Sequence, residues 1–306
     1  MKRLLGNLFV ALSVVVASSC NIDEEHSSIL PSIKAEWSKV YEYMPAPGQF
    51  INDTTPSGGG FDGTETTHEK AIAYAEARLS QKLYVSLGGF GGYVVVGFDH
   101  NVANTPANDF AIMGNPNATS SEPGVVWVMK DENGNALPDD TWYELAGSET
   151  GQRETIEEYA VTYFRPTAPK MAVQWIDNQG NSGEISYIES QHSQEYYYPQ
   201  WVETDSYTLS GTLLKARNEL SEDGLNWTLQ PYGWGYADNF SADDYFAENR
   251  ANENRFDISN AIDKDGKSVK LDYINFIKVQ CAVNAQSGHL GEVSTEVCSF
   301  RDLNIY

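Results

Sequence analysis

The residues best placed to do chemistry form one acidic run: Asp131-Glu132-Asn133-Gly134-Asn135-Ala136-Leu137-Pro138-Asp139-Asp140. Side-chain oxygens alternate at Asp131, Asn133 and Asn135, Leu137 follows, and Asp139 and Asp140 close the run. Such spacing gathers hard oxygen ligands around one point. Ca2+ takes about six to eight of them in a loop tight enough to need Gly or Asn turns. The start matches an EF-hand-like D-x-N-x-N loop, with Asp139 in its ninth place. The match then fails, because Ala136 stands where that loop has Gly, Trp142 where it has a bidentate Glu, and the flanks read as strands. Without metal, the same residues make a polar hairpin turn, for which Asn-Gly is itself a signal. Bound Ca2+ is therefore one of two readings.

A second constellation is aromatic. Tyr232-Gly233-Trp234-Gly235-Tyr236 is followed by Asp238 and Asn239, and Tyr196-Tyr197-Tyr198-Pro199-Gln200-Trp201 is its companion. Rings punctuated by Gly suit loops, and exposed rings beside Asp and Asn make a stacking platform for a glycan or a planar ligand. The expected ligand contacts are Trp234, Tyr236, Asp238, Asn239, Tyr198 and Trp201. In the alternative, these rings fill the core.

Catalysis has little support. His26, His68, His100, His192 and His289 form no H-x-x-x-H or H-E-x-x-H pattern, which disfavours a zinc hydrolase. No G-x-S-x-G elbow is present. A glycosidase-like carboxylate pair is compatible with so many acids, yet no pair stands out. Gly88-Gly89-Phe90-Gly91-Gly92 runs into Val94-Val95-Val96 instead of a helix, so it reads as a sharp turn or bulge and not a phosphate cradle.

These groups need a scaffold and an address. Lys2 and Arg3 precede an apolar run from Leu4 to Ala17, then Ser18-Ser19-Cys20. This is the order of a secretory signal peptide over residues 1–19, with an apolar run too short to span a bilayer. A Cys directly after small residues resembles the lipobox of bacterial lipoproteins, in which Cys20 would carry the lipid. The acidic stretch after it resembles a surface-export signal. Residues 20–45 read as a tether and 46–306 as a single domain.

The 20 Lys+Arg against 43 Asp+Glu give a net charge of −23, which repels nucleic acid and anionic headgroups. Contact with the membrane is thus expected through the anchor alone. Cys281 and Cys298 lie on expected strands in an oxidising compartment, open either to a disulfide or to two buried thiols.

His68 to Gln81 is the best helix, with Ile72, Ala75 and Leu79 on one face. Elsewhere short strands alternate with Gly, Asn and Asp turns. The expected fold is all-β, a jelly-roll-type β-sandwich with one short helix and long loops. Residues 236–256 break the alternation and read as a long loop or insertion. Glu292 and Glu296 read as a solvated strand edge, with a second cation contact as the alternative.

GGYVVVGFDHNVAN, NDFAIMGN, SEPGVVWVMKDENGNALPDDTWYELAGSE and RFDISNAIDKDGKSVKLDYINFIKVQCAVN resemble a family of Bacteroidetes cell-surface lipoproteins. The resemblance covers most of residues 82–306. Members commonly read D-x-N-G-N-G-x-P-D-D at the acidic loop, where this chain has Ala136 for the last Gly. The resemblance implies an outer-membrane surface protein serving TonB-dependent uptake of a small nutrient, corrinoid (vitamin B12) or glycan, beside a TonB-dependent transporter. Two other classes remain: a calcium-stiffened structural or adhesion protein, and a glycan-active hydrolase.

Overall fold

Strands make up 36% of the chain and helix 7%, so the all-β expectation holds. The computed structural model describes residues 33–248 and 251–305. The signal peptide, Cys20 and the first part of the tether lie outside the described residues.

The main sheet is six-stranded and antiparallel. Its spatial order is Lys39–Met44, Tyr93–Ala103, Tyr273–Cys281, Gly124–Met129, Trp142–Leu145 and Ala261–Ile262. A second sheet orders Ser206–Leu213, Ile156–Phe164, Val173–Asp177 and Ser182–Ile185. A third orders Tyr245–Glu248, Ala251–Phe256, Phe110–Met113 and Ser299–Asp302.

The period of two explains the packing. Val94, Val96, Val126, Val128, Ile277 and Val279 alternate onto one face of the main sheet. They join Phe110, Ile112, Phe256 and Phe300 of the third sheet in one contiguous core. Each such side chain, fully buried, contributes about 1.5–3 kcal/mol relative to exposure. The same core takes in Tyr159, Val161, Tyr163, Val173 and Leu209 of the second sheet, giving a β-sandwich-like arrangement.

The helix His68–Ser80 starts at Thr67, whose hydroxyl accepts from Lys70 N at 3.4 Å. Its buried stripe is Ala71, Tyr74, Ala75, Arg78 and Leu79, an i, i+3, i+4, i+7, i+8 series that leaves Ile72 at the margin. Arg78 belongs to that stripe because it has backbone acceptors there: Nε donates to Tyr84 O at 2.9 Å and Nη2 to Gly58 O at 3.2 Å.

Two expectations are corrected. The supposed tether ends early, since Lys39–Met44 is an edge strand of the main sheet. A bulge between Val40 and Glu42 places its buried residues, Val40 and Tyr43, three apart, which hides the strand from a period-two reading. Likewise, 236–256 is not one long loop but holds the hairpin Tyr245–Glu248 with Ala251–Phe256. Its apolar alternation is replaced by a buried acid: Glu253 accepts from Arg301 Nη2 at 2.6 Å and from Arg255 Nε at 2.9 Å.

Candidate functional site

A row of direct cross-strand partners runs over three central strands of the main sheet. Lys278 stands opposite Trp127, and Trp127 opposite Glu144. Ile262 continues the row beyond Glu144. These residues alternate with Val126, Val128, Ile277 and Val279, so they occupy the face turned away from that core. Trp142, two residues before Glu144, shares their face and stands opposite Met129.

Strand Ser206–Leu213 forms the facing wall. Gln280 donates through Nε2 to Ser210 O at 2.7 Å and to Gly91 O at 3.0 Å. A Cβ at Gly211 would stand 1.8 Å from Gln280 Oε1, so a side chain there would displace the Gln280 amide. Between wall and sheet lies a cleft of about 530 Å³, within the range of small-ligand pockets, lined by Trp127, Trp142, Glu144, Thr212, Ile262 and Lys278 among others.

Its electrostatics follow from its walls. The Lys278 ammonium sits 4.5 Å from the Trp127 ring centroid and 5.4 Å from that of Trp142, within cation–π reach of both. Burial pushes the Lys278 amine down to about 8, with the Glu144 carboxylate opposing. Burial pushes Glu144 up to about 7, against a hydrogen bond from Thr212 Oγ1 at 2.5 Å. The cleft thus offers two indole faces, a hydroxyl, a cation and a carboxyl that changes state near neutrality.

A pH prediction arises here. A carboxyl whose pKa is raised on folding adds stability below its unfolded value, about 4.3, and loses it as pH rises through the folded value. Glu144 therefore stabilises at pH 4 and progressively less up to about 7. Lys278 has the opposite slope, gaining above about 8. Glu144→Gln is expected to flatten the fall between pH 4.5 and 7.5 by on the order of 2–3 kcal/mol. Urea melts across that range check it; identical slopes for both proteins would refute the assignment.

The acidic loop is exposed and closes on itself. Asp131 Oδ1 accepts from Gly134 N at 2.7 Å and Asn135 N at 3.2 Å, and Asp131 Oδ2 from Ala136 N at 2.9 Å. Asn133 and Asn135 donate to Asp139 at 3.0 and 2.9 Å. Asp140 Oδ2 accepts from Glu132 N at 2.8 Å, and Leu137 N donates to Asn135 Oδ1 at 2.8 Å. Ala136 takes the left-handed conformation, φ 57°, that glycine would adopt without strain.

The expected aromatic platform is mostly interior. Tyr198 and Trp201 are buried, Tyr198 under the Arg165 guanidinium and Trp201 beside Tyr43 and Phe61. Tyr236 is buried, its hydroxyl accepting from Glu149 N at 3.0 Å. Asn239 is fully buried and pairs with the backbone of Tyr232, accepting at 2.9 Å and donating at 3.1 Å. Of the four rings and two polar groups, only Trp234 is exposed, at 37%. The glycines around them permit close packing instead of display: a Cβ at Gly147 would meet the Tyr236 ring at 2.6 Å. Asp238 is also buried, but it meets Glu122 and Glu296, with one oxygen from each lying within 4.8 Å of the others. Among the described residues, those three carboxylates form a group whose oxygens lie close enough together for one metal ion.

Of the two readings open for Cys281 and Cys298, the structure has two free, buried thiols and no disulfide between them. Cys281 ends a main-sheet strand, its thiol donating to Val293 O at 3.4 Å, while Cys298 lies between the strands Glu296–Val297 and Ser299–Asp302. Burial pushes the Cys281 thiol up to about 11 and the Cys298 thiol up to about 12, away from the reactive thiolate. Both are expected to resist Ellman's reagent in native protein and to react fully in guanidinium. A fast-reacting native thiol among them would contradict their burial.

Trp127, Trp142, Glu144 and Lys278 were not singled out from sequence. One signal was present: a lysine in the middle of the apolar strand Tyr273–Cys281, a position that charged side chains seldom occupy unpaired. What register then adds is the partner strand. A scan against protein-family models finds no match for this chain, and a search of curated proteins finds no significant one.

Proposed function

We propose that this chain is a lipid-anchored, non-catalytic capture module on the outer-membrane surface, holding a small nutrient in the Trp127–Trp142 cleft. One observation carries the reading: two indoles and an ammonium face a single cleft of about 530 Å³ beside a carboxyl and a hydroxyl. Flat apolar faces with a few fixed polar groups suit a sugar ring or the edge and face of a corrinoid. The signal sequence and Cys20 support export and anchoring, and the family resemblance supports nutrient uptake alongside a TonB-dependent transporter. A purely structural or adhesive role calls for no aromatic-lined cleft.

A second reading, glycan hydrolysis, draws on Glu144. Its pKa near 7 is that of a general acid, and Glu157 and Glu158 line the same cleft. A thermal-shift screen of the mature protein against cyanocobalamin, cobinamide and soluble oligosaccharides separates the classes, because a ligand of the native state raises the melting temperature. Stabilisation by one class with the ligand recovered intact supports capture. Release of new reducing ends supports hydrolysis. No stabilisation by any of them would refute both.

A further inference from the structure

A separate pocket of about 310 Å³ collects Glu122, Glu292 and Glu296, with Asn115, Ser294 and Tyr84 also in its lining. Asp238 stands against it in contact range of Glu122 and Glu296. The elements that build it hold the acids in place with their own backbone. Ala237 and Gly124 exchange hydrogen bonds of 2.9 Å, and Glu122 N donates to Asp238 O at 3.0 Å. Asp238 Oδ2 accepts from Glu296 N at 2.9 Å and Oδ1 from Asn115 N at 3.0 Å. Glu122 Oε1 accepts from Ser294 N at 3.2 Å, and Glu296 Oε2 from Asn115 Nδ2 at 2.6 Å. Asp238 is held at φ 54°, and only glycine fits beneath it, since a Cβ at Gly114 would stand 2.7 Å from Asp238 Oδ1.

Hydrogen bonds offset part of the cost of burying these acids, but no counter-charge does. Among the described residues, no lysine, arginine or histidine forms an ion pair with Glu122, Asp238, Glu292 or Glu296. Glu292 is an independent sign of a missing partner. It is 3% exposed, its Oε1 accepts from Gln49 N at 2.8 Å, and its Oε2 has no hydrogen-bond partner. Leaving a buried carboxylate oxygen unmatched costs about 1–3 kcal/mol or more.

We propose that Glu122, Asp238 and Glu296 bind a hard divalent cation of the Ca2+ class, in a pocket whose lining also includes Glu292. The donors are all oxygen, which selects Ca2+, Mg2+ or Mn2+ over zinc or copper. Oxygens facing each other across Ca2+ stand about 4.6–5.2 Å apart, twice a bond of 2.3–2.6 Å. A spread within 4.8 Å fits that span. The cation would tie the loop before Gly124–Met129, the segment after Ala237 and the strand Glu296–Val297 to one centre. It is distinct from the Asp131–Asp140 loop and independent of what the Trp cleft captures.

The test is calorimetric titration of chelator-treated protein with Ca2+, comparing wild type, Glu296→Gln and Asp131→Asn. Wild type is expected to take up Ca2+, Glu296→Gln to lose that uptake by roughly a hundredfold in affinity or more, and Asp131→Asn to keep it. Uptake abolished by Asp131→Asn and retained by Glu296→Gln would overturn the site, as would no uptake of Ca2+, Mg2+ or Mn2+ by wild type. A second readout avoids any folding defect in the Glu296 variant. Tyr84 lines this pocket and would sensitise Tb3+ bound there, so Tyr84→Phe is expected to remove a Ca2+-displaceable part of the emission. Emission unchanged by Tyr84→Phe would also overturn the site.

Discussion

Gly92→Ala is expected to destroy the fold or to lower its stability by more than about 4 kcal/mol. The added Cβ would stand 1.8 Å from Leu87 O and 2.4 Å from Ala46 N, two backbone atoms joined to each other by a 2.9 Å hydrogen bond. Neither atom can rotate away as a side chain would. The neighbouring segment is equally constrained: Gly88 lies at φ 66° with Ala46 O only 2.0 Å from its Cβ position, and Gly91 and Gly92 exchange hydrogen bonds of 2.9 Å with Cys281. Gly134→Ala is the control. It sits at a positive φ of 73°, which Gly92 does not, but has nothing within 4 Å, so its cost is about 1 kcal/mol. A thermal melt in which Gly92→Ala falls by roughly 10 °C or more, and Gly134→Ala by a few degrees, meets the expectation. A Gly92→Ala melt within about 2 °C of wild type would contradict the close approach.

The second large effect concerns the cleft. Trp142→Ala is expected to weaken capture of the authentic ligand at least tenfold, because a stacked indole at the centre of a site contributes roughly 2 kcal/mol or more. Trp142 is the informative choice. Its ring is half-buried at the cleft, whereas Trp127 also packs against the cluster of Val125, Leu229 and Tyr232 and would perturb stability when removed. Adding Trp127→Ala is expected to bring the total to about a hundredfold, with a lower melting temperature. Trp234→Ala serves as the comparison, since that ring is exposed but outside the cleft lining. Titration by calorimetry reads all three; equal affinity for wild type and Trp142→Ala would remove the cleft from consideration.

Much of the scaffold was legible in sequence because period-two alternation is strong where one face is buried. Val94-Val95-Val96, Val125-Val126 and Ile277-Lys278-Val279 each fall within strands of the main sheet. The rejection of a phosphate cradle at Gly88–Gly92 agrees with the strand that follows directly at Tyr93–Ala103. What escaped was whatever broke the period. A bulge hid Lys39–Met44, and a buried, arginine-bracketed Glu253 hid the strand Ala251–Phe256.

The site was far less legible, for a different reason. Trp127 and Glu144 lie on consecutive strands, but Lys278 comes from a strand far along the chain, and only the pairing register brings all three into one row. Residue type also misled. Tyr198, Trp201 and Tyr236 look like a platform by their glycine and proline neighbours, yet those neighbours let the rings pack inward. Glu292 and Glu296 looked like a solvated edge and are buried instead, because the strand Glu296–Val297 pairs with Val85–Ser86 in the interior. Acids at such positions are ordinary in a chain carrying 43 of them, so nothing in composition marks the buried ones.

The most direct measurement is a crystal structure of the mature protein with the ligand selected by the thermal-shift screen. The expected density shows an intact ligand stacked on Trp142 and Trp127, with a polar edge toward Lys278 and Glu144. Density for that ligand elsewhere on the molecule, or for a cleaved product in the cleft, would contradict a module that captures without reacting.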